Sequence, residues 1–265
     1  DLPREVSVLV GASFFVAVGF GIVVPAIPMF ARSFGVSHAA VGLIVSAFAV
    51  TRFSSGLISG RLVDIFGERT VFAVGVFIVS LSVFLAGLAV NYPQLLIFRA
   101  AGGLGSSMFS VAASSVILRS VSDDQRGQAQ SVYQGSFIVG GMAGPAIGGL
   151  LSVISLRAPF FVYSILLLCS GIVALFFLKG DSIGAKVKNS SAEPATTIRE
   201  ALAMPPYRIA LVLAFVGTWV FFGMRASILP VFVTEELNST TAVVGYGFAI
   251  SAIVQGAILL KAGRF

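Results

Sequence analysis

The segment Gly60-Arg61-Leu62-Val63-Asp64-Ile65-Phe66-Gly67-Glu68-Arg69 places two carboxylates and two arginines between long apolar runs. Carboxylate and guanidinium groups at that density form ion pairs that can be made and broken, which is the chemistry of a latch rather than of bond cleavage. Gly60 and Asp64 are four residues apart and share one helix face. A neighbouring helix could approach closely at Gly60 while Asp64 meets its N-terminal end or an arginine. The same spacing also suits a solvated surface loop. Three more arginines, Arg52, Arg99 and Arg225, stand well inside apolar runs. A guanidinium there costs at least ~2.5–3.5 kcal/mol, so each points to a water-filled cavity or a polar partner. For Arg52 and Arg225, snorkelling or structural pairing competes evenly with substrate binding. No Asp or Glu lies deep in any run; the nearest are Asp64 and the pair Glu235-Glu236.

The elements that must position these groups are membrane helices. Mean hydropathy is +1.01, with 57% hydrophobic and only 11% charged residues, against roughly 25% charged in a soluble domain. Eight apolar runs are expected as spans, at about 6–30, 39–60, 70–90, 92–118, 129–153, 158–178, 209–233 and 243–260. Each approaches the ~20 residues that cross a ~30 Å hydrocarbon core, and none shows the alternation of a β-barrel strand. The first run is too long for a signal peptide and stays as a helix. Pro25 and Pro28 shape a bend near its outer end.

Orientation follows from the basic residues. With a cytoplasmic N terminus the inside segments hold Arg4, Arg61, Arg69, Arg119, Arg126, Lys179, Lys186, Lys188, Arg199, Arg208, Lys261 and Arg264, against only Arg32 and Arg157 outside. This asymmetry accounts for the net charge of +6 and leaves no need for a nucleic-acid partner. The polar segment from Lys179 to about Pro206 reads as a linker. The expected organisation is an N-terminal six-helix bundle over 1–178, a cytoplasmic linker over 179–206, and the start of a second bundle over 207–265.

Gly140, Gly144 and Gly148 recur every four residues and form a side-chain-free stripe beside Pro145. Span eight carries Gly245, Ala249, Ala252 and Gly256, so the two spans are expected to pack together as a gate between halves. Ordinary small-residue packing is the alternative. Cys169 reads as a small packing residue and His38 as a solvated loop residue. Neither supports metal binding, and no nucleophile, base and metal constellation or phosphate-binding loop occurs. No cofactor and no enzymatic activity are expected.

The charged segment resembles the loop 2-3 signature of the major facilitator superfamily, called motif A, which reads Gly-x-x-x-Asp-Arg/Lys-x-Gly-Arg/x-Arg/Lys. Gly60, Asp64, Gly67 and Arg69 match it, whereas Ile65 and Glu68 depart from its usual basic residues. Arg99 followed by Gly102 and Gly103 resembles motif B. The run Gly140-Gly141-Met142-Ala143-Gly144-Pro145-Ala146-Ile147-Gly148-Gly149 resembles motif C, which is associated with the family's antiporters. The resemblance implies an all-α membrane fold of two six-helix bundles, here complete in the first and cut short after the eighth helix. It implies a latch at Asp64 whose partner lies in the second half, and a part for Arg99 in proton coupling. It also implies a central cavity, with Phe15, Phe48, Tyr133, Gln134, Phe137, Trp219, Phe222, Tyr246 and Gln255 as candidate lining and Gly149 beside the gate.

The resulting expectation is a monomeric secondary transporter of the plasma membrane, exporting drug-like or metabolite molecules in exchange for protons. Uptake or uniport of a small solute, including an anionic one, is the alternative. A non-transporting receptor of the same fold is a more distant one.

Overall fold

The computed structural model describes residues 3–178 and 198–220, together with positions 232, 236, 237, 250, 251, 254 and 258. The chain divides into two compact units, one of residues 1–186 with 255–265 and one of residues 187–254.

In the first unit the first span is a broken helix. α1 (Arg4–Val23) and α2 (Ala26–Arg32) meet at a turn formed by Val24 and Pro25, where the missing N–H of proline interrupts the hydrogen-bond ladder. The second span is also broken: α3 (His38–Ser54) and α4 (Gly56–Phe66) meet at a 48° bend. Its cause is local. The Ser54 and Ser55 hydroxyls donate back to the Val50 and Thr51 carbonyls, at 2.8 and 2.7 Å, and Gly56 follows them. Hydroxyls that compete for helical carbonyls beside a glycine are a recognised source of kinks. His38 is the first residue of α3 rather than a loop residue, and Ser37 caps that helix by accepting from the Ala40 N–H at 3.3 Å.

The next four spans are single helices: α5 (Glu68–Leu88), α6 (Tyr92–Ser120), α7 (Arg126–Ile154) and α8 (Ala158–Phe177). α6 starts where Asn91 accepts from the Gln94 N–H at 3.0 Å. α5, α6, α8, the joined α1–α2 and the bent α3–α4 are each long and apolar enough to cross a membrane. α7, at 29 residues, reaches about 43 Å at ~1.5 Å per residue. Their limits follow the expected runs closely, except that α4 continues through Phe66.

α1 lies between α7 and α8, α5 lies between α6 and α8, and α3 packs on α6. Val6, Leu9, Val16, Phe72, Val76, Leu95 and Leu167 are among the side chains that fill the interior. Lipid tails are as apolar as these side chains, so van der Waals fit and interhelical hydrogen bonds must hold the helices together. Buried serines supply such bonds: Ser80 donates to the Ser164 carbonyl and Ser170 to the Ala12 carbonyl, each at 2.9 Å. Cys169 is exposed on the outer side of α8, so it does not pack the interior as expected. Its neighbours Leu167 and Ser170 are the inward-facing residues of that turn.

In the second unit the described helices are α9 (Ile198–Ala203) and α10 (Pro205–Thr218). α10 begins with Pro205 and Pro206, which suit the first helical turn. α9 lies inside the segment expected as a linker.

Candidate functional site

The charged segment is built around Gly67, which ends α4 and starts α5 at φ 79° and ψ 159°. A side chain is strained in that region, so the sharp turn requires glycine. Replacing Gly67 with alanine is expected to destabilise the protein by about 1–3 kcal/mol. The check is the thermal midpoint of the purified protein, with a surface Gly→Ala control at Gly127, where an added Cβ meets no described atom.

The turn points Asp64 and Glu68 toward the end of α6. Glu68 is buried, pairs with Arg119 at 2.6 Å and accepts from Ser115 Oγ at 3.1 Å. Arg119 also reaches Asp64, at 3.5 Å, where the carboxylate remains 69% exposed. Arg69 donates to the Leu175 carbonyl in the last turn of α8. These groups are therefore no solvated loop. Glu68, which departs from the motif A pattern, is the most enclosed member of the cluster and clamps α5 to α6. In the sequence Arg119 stands out only as one of many basic residues at helix ends. The overlooked signal was the opposite charge of Glu68 and Arg119 at matching depths of consecutive antiparallel spans. The position of a Gly60 side chain faces no described residue within 4 Å.

Within the membrane-spanning region, Arg99 is buried and its guanidinium lies 4.7 Å from the centre of the Phe48 ring. Its Nε has no hydrogen-bond partner among the described residues. A desolvated cation over an aromatic face gains roughly 2 kcal/mol. Arg52, one helical turn beyond Phe48 on α3, donates from Nη1 to Ser106 Oγ and from Nη2 to Ser110 Oγ, the latter at 2.9 Å. Neither arginine has a carboxylate partner among the described residues. Arg225 lies outside the described residues.

The glycine stripe of α7 is occupied by α1. A side chain at Gly140 would meet Ala17 Cβ at 2.8 Å, and side chains at Gly144 and Gly148 would overlap the backbone of Gly21 and Ile22. The expected packing of this stripe against span eight is thereby corrected. α1 carries its own small residues, Ala17 and Gly21, at the same four-residue spacing, and the two small faces close on each other. Gly141, Pro145 and Gly149 form the adjacent face; Pro145 and Gly149 are exposed, and neither Gly141 nor Gly149 has a described atom within 4 Å of an added Cβ.

Of the expected cavity residues, Tyr133 and Phe137 meet edge to face at 5.3 Å, with Tyr133 buried. Phe48 lies under Arg99. Phe15 is partly exposed beside Phe14, at 6.2 Å, and Gln134 is exposed. Trp219 is exposed and stacks on Phe215 in the second unit. Phe222, Tyr246 and Gln255 lie outside the described residues.

The model of the Major Facilitator Superfamily matches residues 9–265 of this chain. The chain belongs to the Major Facilitator Superfamily. It is thus a multi-pass membrane protein of a transporter family, not an enzyme family. It is 26% identical over 258 residues to multidrug resistance protein 2 of Bacillus subtilis, covering 95% of this chain and 64% of that protein. It is 26% identical over 217 residues to the quinolone resistance protein NorA of Staphylococcus aureus, covering 81% of this chain and 56% of that protein. The chain thus spans less than two thirds of the length of these relatives. The human organic anion transporter MFSD10 (TETRAN) has the same fold, with a TM-score of 0.79 at 18% identity, covering 98% of this chain and 72% of that one.

Proposed function

We propose that the protein is a proton-coupled exporter of drug-like, largely hydrophobic small molecules in the bacterial plasma membrane. It acts as a monomer with a cytoplasmic N terminus and no cofactor, alternating access between two helical bundles. The observation that carries this reading is the Gly-Pro helix α7 wedged on α1, in a superfamily chain whose relatives include a multidrug and a quinolone resistance protein. The face of α7 at Gly141, Pro145 and Gly149 is left for the second bundle. The outward side of Asp64 and the bare surface at Gly60 supply the matching latch at the cytoplasmic end. Phe48, and separately Phe137 beside Tyr133, offer apolar aromatic surface for flat substrates.

The test is accumulation of ethidium by everted membrane vesicles from cells expressing the full-length protein. Energised vesicles should accumulate the dye, and a protonophore should release it. Accumulation that survives the protonophore, or equals that of vesicles lacking the protein, removes this reading. Asp64→Asn separates latch from scaffold. The 3.5 Å pair with Arg119 is well exposed and contributes at most ~1 kcal/mol, so the thermal midpoint should hardly move while dye transport falls about tenfold. Unchanged transport would exclude Asp64 as the latch.

A further inference from the structure

Arg52 carries a positive charge inside the membrane-spanning region that its surroundings bind but do not neutralise. A guanidinium has five N–H donors. Arg52 places one on Ser106 Oγ and one on Ser110 Oγ, and no other acceptor reaches it among the described residues. Ser110 donates its own proton to the Ser106 carbonyl at 2.8 Å, so toward Arg52 its oxygen acts purely as an acceptor. The two hydroxyls therefore fix the fork in place and leave its remaining donors available.

An open, largely apolar cleft of about 500 Å³ runs along α6, lined by Ser110, Val111, Ser114, Ser115, Leu118 and Arg119. The two cations associated with this track differ in one respect. Arg119 is already matched by Glu68 and Asp64, whereas Arg52 has no acid partner among the described residues. Arg99, buried in this bundle where Arg52 is exposed on its surface, lies over Phe48 of α3 and also lacks an acid partner among the described residues. The Ser110 hydroxyl that holds Arg52 also lines this cleft, so an anion lodged at the Ser110 end lies beside a guanidinium with no acid partner among the described residues. Planar forks of this kind recognise carboxylates and phosphates with two parallel bonds.

We propose that Arg52, braced by Ser106 and Ser110, is an oxyanion subsite that receives the carboxylate, sulfonate or phosphate group of an amphipathic molecule. As a part of the transport path this subsite rests on the export reading above, but binding alone tests it. The probe is 1-pyrenebutyrate beside its uncharged methyl ester, with affinities measured by equilibrium dialysis against full-length protein in phosphatidylcholine nanodiscs and corrected with empty discs. Wild type should bind the acid roughly tenfold more tightly than the ester, the size of one charge-assisted contact. Arg52→Gln should bring the two within about twofold by weakening only the acid, and Arg52→Lys should keep part of the preference.

Nanodiscs containing phosphatidylglycerol distinguish the source of the anion. A preference retained there assigns the subsite to free amphiphiles, and one lost there but present in phosphatidylcholine assigns it to a lipid phosphate. Either result supports the oxyanion chemistry. Equal binding of acid and ester by wild type, or an acid preference that survives Arg52→Gln, overturns the proposal. Neither of those results touches the export reading, which is judged by ethidium accumulation.

Discussion

Replacing Arg119 with alanine should lower stability by about 3–5 kcal/mol, the typical cost of leaving a buried charge without its partner. Glu68 is 4% exposed and depends on Arg119 at 2.6 Å, with the neutral Ser115 hydroxyl as its other partner among the described residues. The thermal midpoint of the purified protein should fall on the order of 10 °C, given ~2–4 °C per kcal/mol for a domain of this size. Removing both partners in Glu68→Gln/Arg119→Met should recover much of the loss, because no unpaired charge then remains buried. Equal losses in the single and double variants would mean that the pair does not act as a unit. A separate cycle with Asp64→Asn and Arg119→Ala should show only weak coupling, since Asp64 is mostly open to solvent.

The second large effect concerns α7. Gly144→Leu should cost at least about 3 kcal/mol, because its first side-chain atom already overlaps the backbone of Gly21 and Ile22 and backbone cannot swing aside. The variant should fail to yield a monodisperse purified protein. Gly141→Leu is its counterpart. There an added Cβ meets nothing among the described residues, so the first bundle should assemble normally, and transport should be lost if this face meets the second bundle. Comparing yield, size-exclusion profile and dye transport for the two variants separates packing within a bundle from gating between bundles. A stable, active Gly144→Leu protein would refute the close contact of α1 and α7. An active Gly141→Leu protein would place the gate elsewhere.

How far the sequence reveals this molecule depends on the range of the interaction. Helix limits were legible because charge is excluded from the hydrocarbon and gathers at span ends, as at Arg4, Glu68, Arg119 and Arg126. The bend at Ser54, Ser55 and Gly56 was not, because it arises from hydroxyl bonds within an otherwise apolar run. The stripe of α7 was legible as a small face, but its partner was not. Both α1 and span eight offer small residues at four-residue spacing, and periodicity along one helix does not name its neighbour. The role of Glu68 is hidden from the sequence for a related reason. Judged against motif A it is a departure, and only the fold brings Arg119 and Ser115 to it. The serines at 106 and 110 that hold Arg52 also share a four-residue period, a signal that becomes meaningful once α3 is packed on α6.

The central claim is that substrate leaves in exchange for protons. It is tested most directly with the full-length protein reconstituted into liposomes that enclose a pH-sensitive dye, under an imposed gradient. Adding ethidium on the side from which it is carried should drive protons in the opposite direction, in proportion to the dye transported. That proton movement should be missing from liposomes without protein and much reduced with Asp64→Asn. Dye movement without proton movement, or dye and protons moving together in one direction, would contradict the account.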